Sequence, residues 1–122
     1  MNAHEFDQLV DECMSIVPRR FRGLLSNLVF VVEPEPPRPG LLGLYEGRPR
    51  IHRSVAEPYS MPDRITIYQG PHERGARDEL ELRELVRETI WHEVAHYFGL
   101  DEAQVLRAER RRRQRLDRLR GR

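Results

Sequence analysis

No lysine occurs in this chain, so its 21 basic residues are all arginine. A uniform choice of that kind suggests GC-rich coding, so arginine identity at one position carries little weight. The single cysteine, Cys13, excludes an internal disulfide. No run approaches the roughly 18 consecutive apolar residues that a membrane-spanning helix needs. The first residues, Met-Asn-Ala-His-Glu-Phe-Asp, have neither the basic start nor the apolar stretch of a secretory signal, and a cytoplasmic protein is expected. The sequence contains no internal repeat and, apart from the arginine run 110–113, no low-complexity segment.

At 122 residues, 39% hydrophobic and 34% charged, the chain is long enough for one core but not two. Its net charge of +1 conceals a division. Residues 103–122 hold nine Arg against Glu109 and Asp117, a local charge of +7. The twelve Arg and 18 acids before them leave −6. An acidic body therefore carries a basic tail, and the expected organisation is a domain over 1–106 followed by an Arg-rich helical tail over 107–122.

Phe6, Leu9, Val10, Cys13 and Val17 recur at helical spacing until Pro18 stops the run, which predicts an amphipathic helix over 5–17 with Cys13 inside. Residues 19–27 add a short helical turn. Leu28–Val32 is a β-branched and aromatic run closed by Glu33-Pro-Glu-Pro-Pro, hence a strand and then a loop. Leu41–Tyr45 is a weaker strand, and 48–63 read as irregular. Arg64–Tyr68 alternates as a strand should, with a turn expected at Gln69-Gly-Pro71. A long helix is predicted from Asp78, its cap, to Phe98, with acids in its first turn and Gly99 at its C-terminal end. Asp101 with Gln104 forms a capping-box pattern for a further helix.

The segment that carries chemistry is His92-Glu-Val-Ala-His96. On a helix, side chains four apart are neighbours, so both imidazoles point to one side and can hold one ion. Glu93 lies about 100° round the helix, beside the pair, where it can serve as general base toward a water activated by that ion. With five His and 14 Glu in the chain, the pattern is expected by chance about 0.02 times. Leu82, Val86, Ile90, Val94, Tyr97 and Phe98 form a separate apolar face, which leaves the histidines to a cleft.

Catalytic zinc takes three protein ligands and keeps one position open. The third ligand is expected just after Gly99. Glu102, ten residues beyond His92, is the first candidate, and Asp101, already suited to a helix cap, is the alternative. Glu109 is a more distant one. His4, His52 and His72 have no partner at ligand spacing and are expected on the surface.

These residues resemble the zincin metallopeptidases, and among them the small bacterial "minimal zincin" proteins with an H-E-x-x-H-x-x-G-x-x-(D/E) motif. The likeness rests on His92-Glu-Val-Ala-His-Tyr-Phe-Gly-Leu-Asp-Glu102, and on Pro62–Pro71. It implies an α+β, minimal zincin-like fold: a small mixed β-sheet, a backing N-terminal helix and a long active-site helix. It also implies a zinc ion, an acid ligand at Glu102 and a peptide or protein substrate. The chain departs from the metzincins, which place a third His at the position of Glu102 and a methionine turn downstream. Met61, the last methionine here, is upstream.

By analogy with larger zincins, the strand Arg64–Tyr68 is a candidate edge for an extended peptide, and equally a candidate interior strand. Tyr97, Tyr68 and His72 are unranked candidates for stabilising an oxyanion. The competing function is a non-catalytic zinc module whose basic tail binds nucleic acid or another anionic partner. The commoner fate of such an arginine run is a solvated terminus, and it lacks the aromatics that stack on single-stranded bases.

Overall fold

A computed structural model describes residues 1–25, 27–47 and 62–119. The chain is α+β, with three strands in one mixed sheet and helices before and after it. Helix α1, Ala3–Cys13, starts earlier than its apolar spacing predicts. Asn2 caps it: its side chain accepts from the Glu5 N–H, and Glu5 returns a bond to the Asn2 N–H. A 3₁₀ turn over Met14–Ile16, the four-residue helix α2 (Arg19–Arg22) and a second 3₁₀ turn over Gly23–Leu25 follow.

The strands are β1 (Leu28–Glu33), β2 (Gly43–Glu46) and β3 (Asp63–Tyr68). Their order is β1-β3-β2; β3 pairs parallel with β1 and antiparallel with β2. Of the two expectations for Arg64–Tyr68, the structure holds to the interior strand. β3 lies between its neighbours, so no peptide can add to it, and the edge beside the long helix belongs to β2. The central position also explains why Ile65, Thr66, Ile67 and Tyr68 are all buried despite their alternating pattern.

The turn expected at Gln69-Gly-Pro71 is instead the start of a helix, α3, Gln69–Gly75. Pro71 sits in its first turn, where a missing N–H costs nothing. Helix α4, Glu79–Tyr97, is capped by Asp78, whose side chain accepts the Glu81 N–H at 2.8 Å. It closes at Gly99 in the left-handed region, φ +82°. There Gly99 donates to the His96 carbonyl and Leu100 to the Ala95 carbonyl, the paired bonds of a Schellman ending. Helix α5 runs from Glu102 to Leu119 without a break at 106.

The core joins α1, β3 and α4: Phe6, Leu9, Val10, Cys13 and Val17 pack with Ile65, Ile67, Leu82, Val86, Ile90 and Val94. The predicted apolar face of α4 is thus spent on the core, and the opposite side of the helix is left for the cleft. Burial pushes the Cys13 thiol pKa up, and its Sγ lies against the Arg83 carbonyl. No helix among the described residues is long and apolar enough to cross a membrane.

Candidate metal centre and cleft

His92 and His96 lie four residues apart near the C-terminal end of α4, half-buried, with their rings 4.8 Å apart. Their Nε2 atoms approach to 3.1 Å. Two nitrogens each about 2.1 Å from one tetrahedral zinc would stand about 3.4 Å apart. The imidazole pair therefore already has the spacing and convergence that a single ion requires. Neutral imidazole is a suitable zinc donor.

Glu93 lines two surface pockets, both bordered by β2, which together form the candidate cleft. On one side of it the walls are Gly40–Gly43, with Thr89 and His92 from α4. On the other they are Leu44, Tyr45, His96 and Gly99. Gly43 makes this closeness possible. A Cβ there would stand 2.7 Å from Thr89 Cγ2 and 3.3 Å from Glu93 Cγ. Strand β2 thus rests directly on the helix one turn before the histidine pair. The Tyr68 N–H donates to the Leu42 carbonyl at 3.0 Å. Alternation along the antiparallel ladder then turns the backbone groups of Gly43 and Tyr45 to the outer edge, beside Glu93.

The residues expected after Gly99 separate. Asp101 Oδ1 accepts the Gln104 N–H at 2.8 Å, and the Gln104 side chain accepts the Asp101 N–H, so Asp101 forms the expected capping box. Glu102 opens α5; its side chain, like that of Glu109, lies outside the described set, as does His52. Among the described residues no third His, Cys, Asp or Glu completes a metal group around the two imidazoles.

His4 is exposed, as expected, whereas His72 is fully buried, which corrects its assignment to the surface. No sequence spacing marks it, because its partners come from β3 and from a turn of α4 seventeen residues away. Its Nδ1 lies 2.6 Å from the Tyr68 carbonyl, which can only accept, so Nδ1 carries the proton. Nε2 lies 2.8 Å from Thr89 Oγ1, whose hydroxyl donates to the Leu85 carbonyl at 3.0 Å. Burial lowers the His72 pKa and keeps it neutral.

Tyr68 and Tyr97 are also buried, and the Tyr97 hydroxyl donates to the Leu24 carbonyl. Tyr45, which the sequence did not single out, is the tyrosine among the described residues that lines the cleft. Its hydroxyl donates to Asp63 Oδ2 at 2.5 Å. Sequence also gave no sign of Arg113, which returns from α5 to Glu88 through two hydrogen bonds of 3.2 Å and lines the His92 side of the cleft. The one available hint was Gly43 itself, since a glycine inside a strand often marks a close backbone approach.

Comparison with solved structures finds a conserved hypothetical protein from Thermus thermophilus, 29% identical, over 80% of this chain and 94% of that one, with a TM-score of 0.54. Comparison with curated proteins gives no match. Residues 25–112 match the sequence profile of the zincin-like metallopeptidases, a family that implies a bound metal ion, usually zinc. With most of its length inside that match, from the sheet through the His92–His96 helix into α5, the chain belongs to the zincin-like metallopeptidase family.

Proposed function

We propose that this protein is a zinc-dependent peptidase in which His92, His96 and Glu102 hold the metal and Glu93 is the general base. The observation that carries the reading is the convergence of the two imidazole Nε2 atoms at 3.1 Å beside a glutamate that faces both halves of a cleft. Glu102 is preferred to Asp101 because the Asp101 carboxylate is occupied at the start of α5. A zinc ion bound there supplies Lewis acidity and lowers the pKa of a water toward neutrality.

The protein's own groups account for the remaining chemistry. A substrate lies extended along the outer edge of β2, paired with Gly43 and Tyr45, which brings one peptide bond over Glu93. The Glu93 carboxylate takes a proton from the attacking water and delivers it to the leaving amine, so the base of the first step becomes the acid of the second. Close contact between β2 and α4 at Gly43 sets the distance between the bound backbone and that carboxylate.

The test starts with zinc stoichiometry on wild type, His96→Ala, Asp101→Ala and Glu102→Ala, each purified without chelator and re-equilibrated with zinc. One zinc per chain is expected in wild type, with loss in His96→Ala and weaker binding in Glu102→Ala than in Asp101→Ala. Glu93→Gln should retain zinc and lose cleavage of a peptide library by about 10²-fold or more. Full cleavage by Glu93→Gln would refute the base assignment, and absence of zinc from wild type would refute the metal site.

A further inference from the structure

Helix α5 has two different sides. At 100° per residue, Arg107, Arg118, Arg111 and Arg115 fall within about 80° of arc and form a stripe about 16 Å long. All four are exposed, and among the described residues none of them pairs with an acid. Arg113 lies about 160° from Arg111 and Arg115, on the side held against Glu88. Asp117, the α5 acid with a described side chain, falls toward that same side. Arg110, Gln104 and Gln114 flank the stripe, so its borders add donors and no negative charge. Arg113 thus anchors α5 to the domain, and these four are displayed together on another side.

We propose that this stripe is a binding surface for the phosphate backbone of a nucleic-acid duplex, separate from the cleft and independent of any hydrolysis there. Four guanidiniums in a row on a rigid helix match a line of phosphates, and each is suited to bidentate contact with one. The tail holds no aromatic residue, so it has nothing on which unpaired bases could stack, which favours duplex over single strand. A helix that lies in a lipid surface presents an apolar face beside its basic one. Ala108 and Leu119 border the stripe beyond Arg115, so a lipid vesicle is the control that separates the two surfaces. With the acidic body on the far side of the Glu88–Arg113 contact, the protein would be held by α5 while the cleft stays accessible. Recognition would be independent of base sequence.

The experiment measures fluorescence anisotropy of a labelled 20-base-pair DNA duplex titrated with the full chain at several salt concentrations. Four phosphate contacts predict a log–log salt slope of about −3.6, so affinity should fall about 150-fold between 50 and 200 mM salt. Changing Arg107, Arg111, Arg115 and Arg118 together to Gln should abolish the salt-dependent binding. The fourfold change to Lys, which keeps the charge, should retain most of it. Arg113→Gln should weaken binding less than threefold, because that arginine faces Glu88. Circular dichroism of each variant checks that α5 still forms, and the Lys variant gives a second reading if the Gln variant loses helix. Three results would overturn the proposal: no duplex binding by wild type at 50 mM salt, an Arg113→Gln loss equal to that of Arg111→Gln, or binding to vesicles with 30% phosphatidylserine but not to duplex. None of these bears on zinc or on cleavage, so the metallopeptidase reading stands or falls separately.

Discussion

Replacing Gly43 by alanine adds one methyl where strand β2 meets helix α4. The new carbon would stand 2.7 Å from Thr89 Cγ2, 3.2 Å from the Thr66 carbonyl and 3.3 Å from Glu93 Cγ. Reaching an ordinary carbon–carbon contact of about 3.5 Å requires a separation of roughly 0.8 Å from the Thr89 methyl. Thr89 is poorly able to give way. Its hydroxyl lies 2.8 Å from His72 Nε2 and 3.0 Å from the Leu85 carbonyl, and a change of rotamer would break that arrangement. The strand must move instead. Overpacking of this kind costs about 1–3 kcal/mol, which for a chain of this length lowers Tm by about 3–5 °C per kcal/mol. If the proposed peptidase function holds, the same displacement would shift a substrate backbone relative to Glu93, and peptide cleavage should fall about 10–100-fold with zinc content unchanged. Thr89→Ser removes the obstructing methyl and keeps the hydroxyl for His72. The double variant Gly43→Ala/Thr89→Ser should therefore recover at least about 1 kcal/mol relative to the sum of the two single changes. Urea denaturation of all four proteins measures this coupling. Gly43→Ala within about 0.5 kcal/mol of wild type, or additive effects in the double variant, would refute the packing argument.

His72 should make stability depend on pH. Its folded-state pKa is depressed below the ordinary 6.5 by burial, so between the two values the unfolded chain binds the extra proton. Stability is then full above about pH 6.5 and falls as the pH drops toward the folded value, by up to about 1.4 kcal/mol per pH unit. Urea midpoints at pH 8, 6 and 5 should fall more steeply for wild type than for His72→Gln; equal slopes would show that His72 is not the group responsible. Cys13, buried with its thiol pKa raised, should resist alkylation in the native state at least about tenfold more than in urea. Equal rates would place its side chain at the surface.

Much of this molecule was readable one segment at a time. Asp78 and Gly99 bracket α4 because an N-cap carboxylate and a left-handed glycine act on the residues next to them. The spacing of Phe6, Leu9, Val10 and Cys13 identified the buried face of α1, and the four-residue interval between His92 and His96 placed their rings together. In each case the interacting groups lie within about one helical turn, so sequence distance stands for spatial distance.

The features that local spacing does not specify depend on residues far apart in the chain. The composition of Gln69-Gly-Pro71 predicts a turn, yet Pro is equally at home in the first turn of a helix, and α3 gains its footing from His72 bonding to Thr89 of α4. The sequence showed three strands but not their order; the parallel pairing of β1 with β3 leaves β2 as the edge over Glu93. Arg113 reaches Glu88 only because α5 folds back along α4. Local spacing and capping thus account for helix α4 and for the pairing of His92 with His96 on it. The tertiary structure decided which strand forms the cleft, which histidine is hidden and which arginines face outward, because those depend on pairing and packing between segments that sequence spacing does not encode.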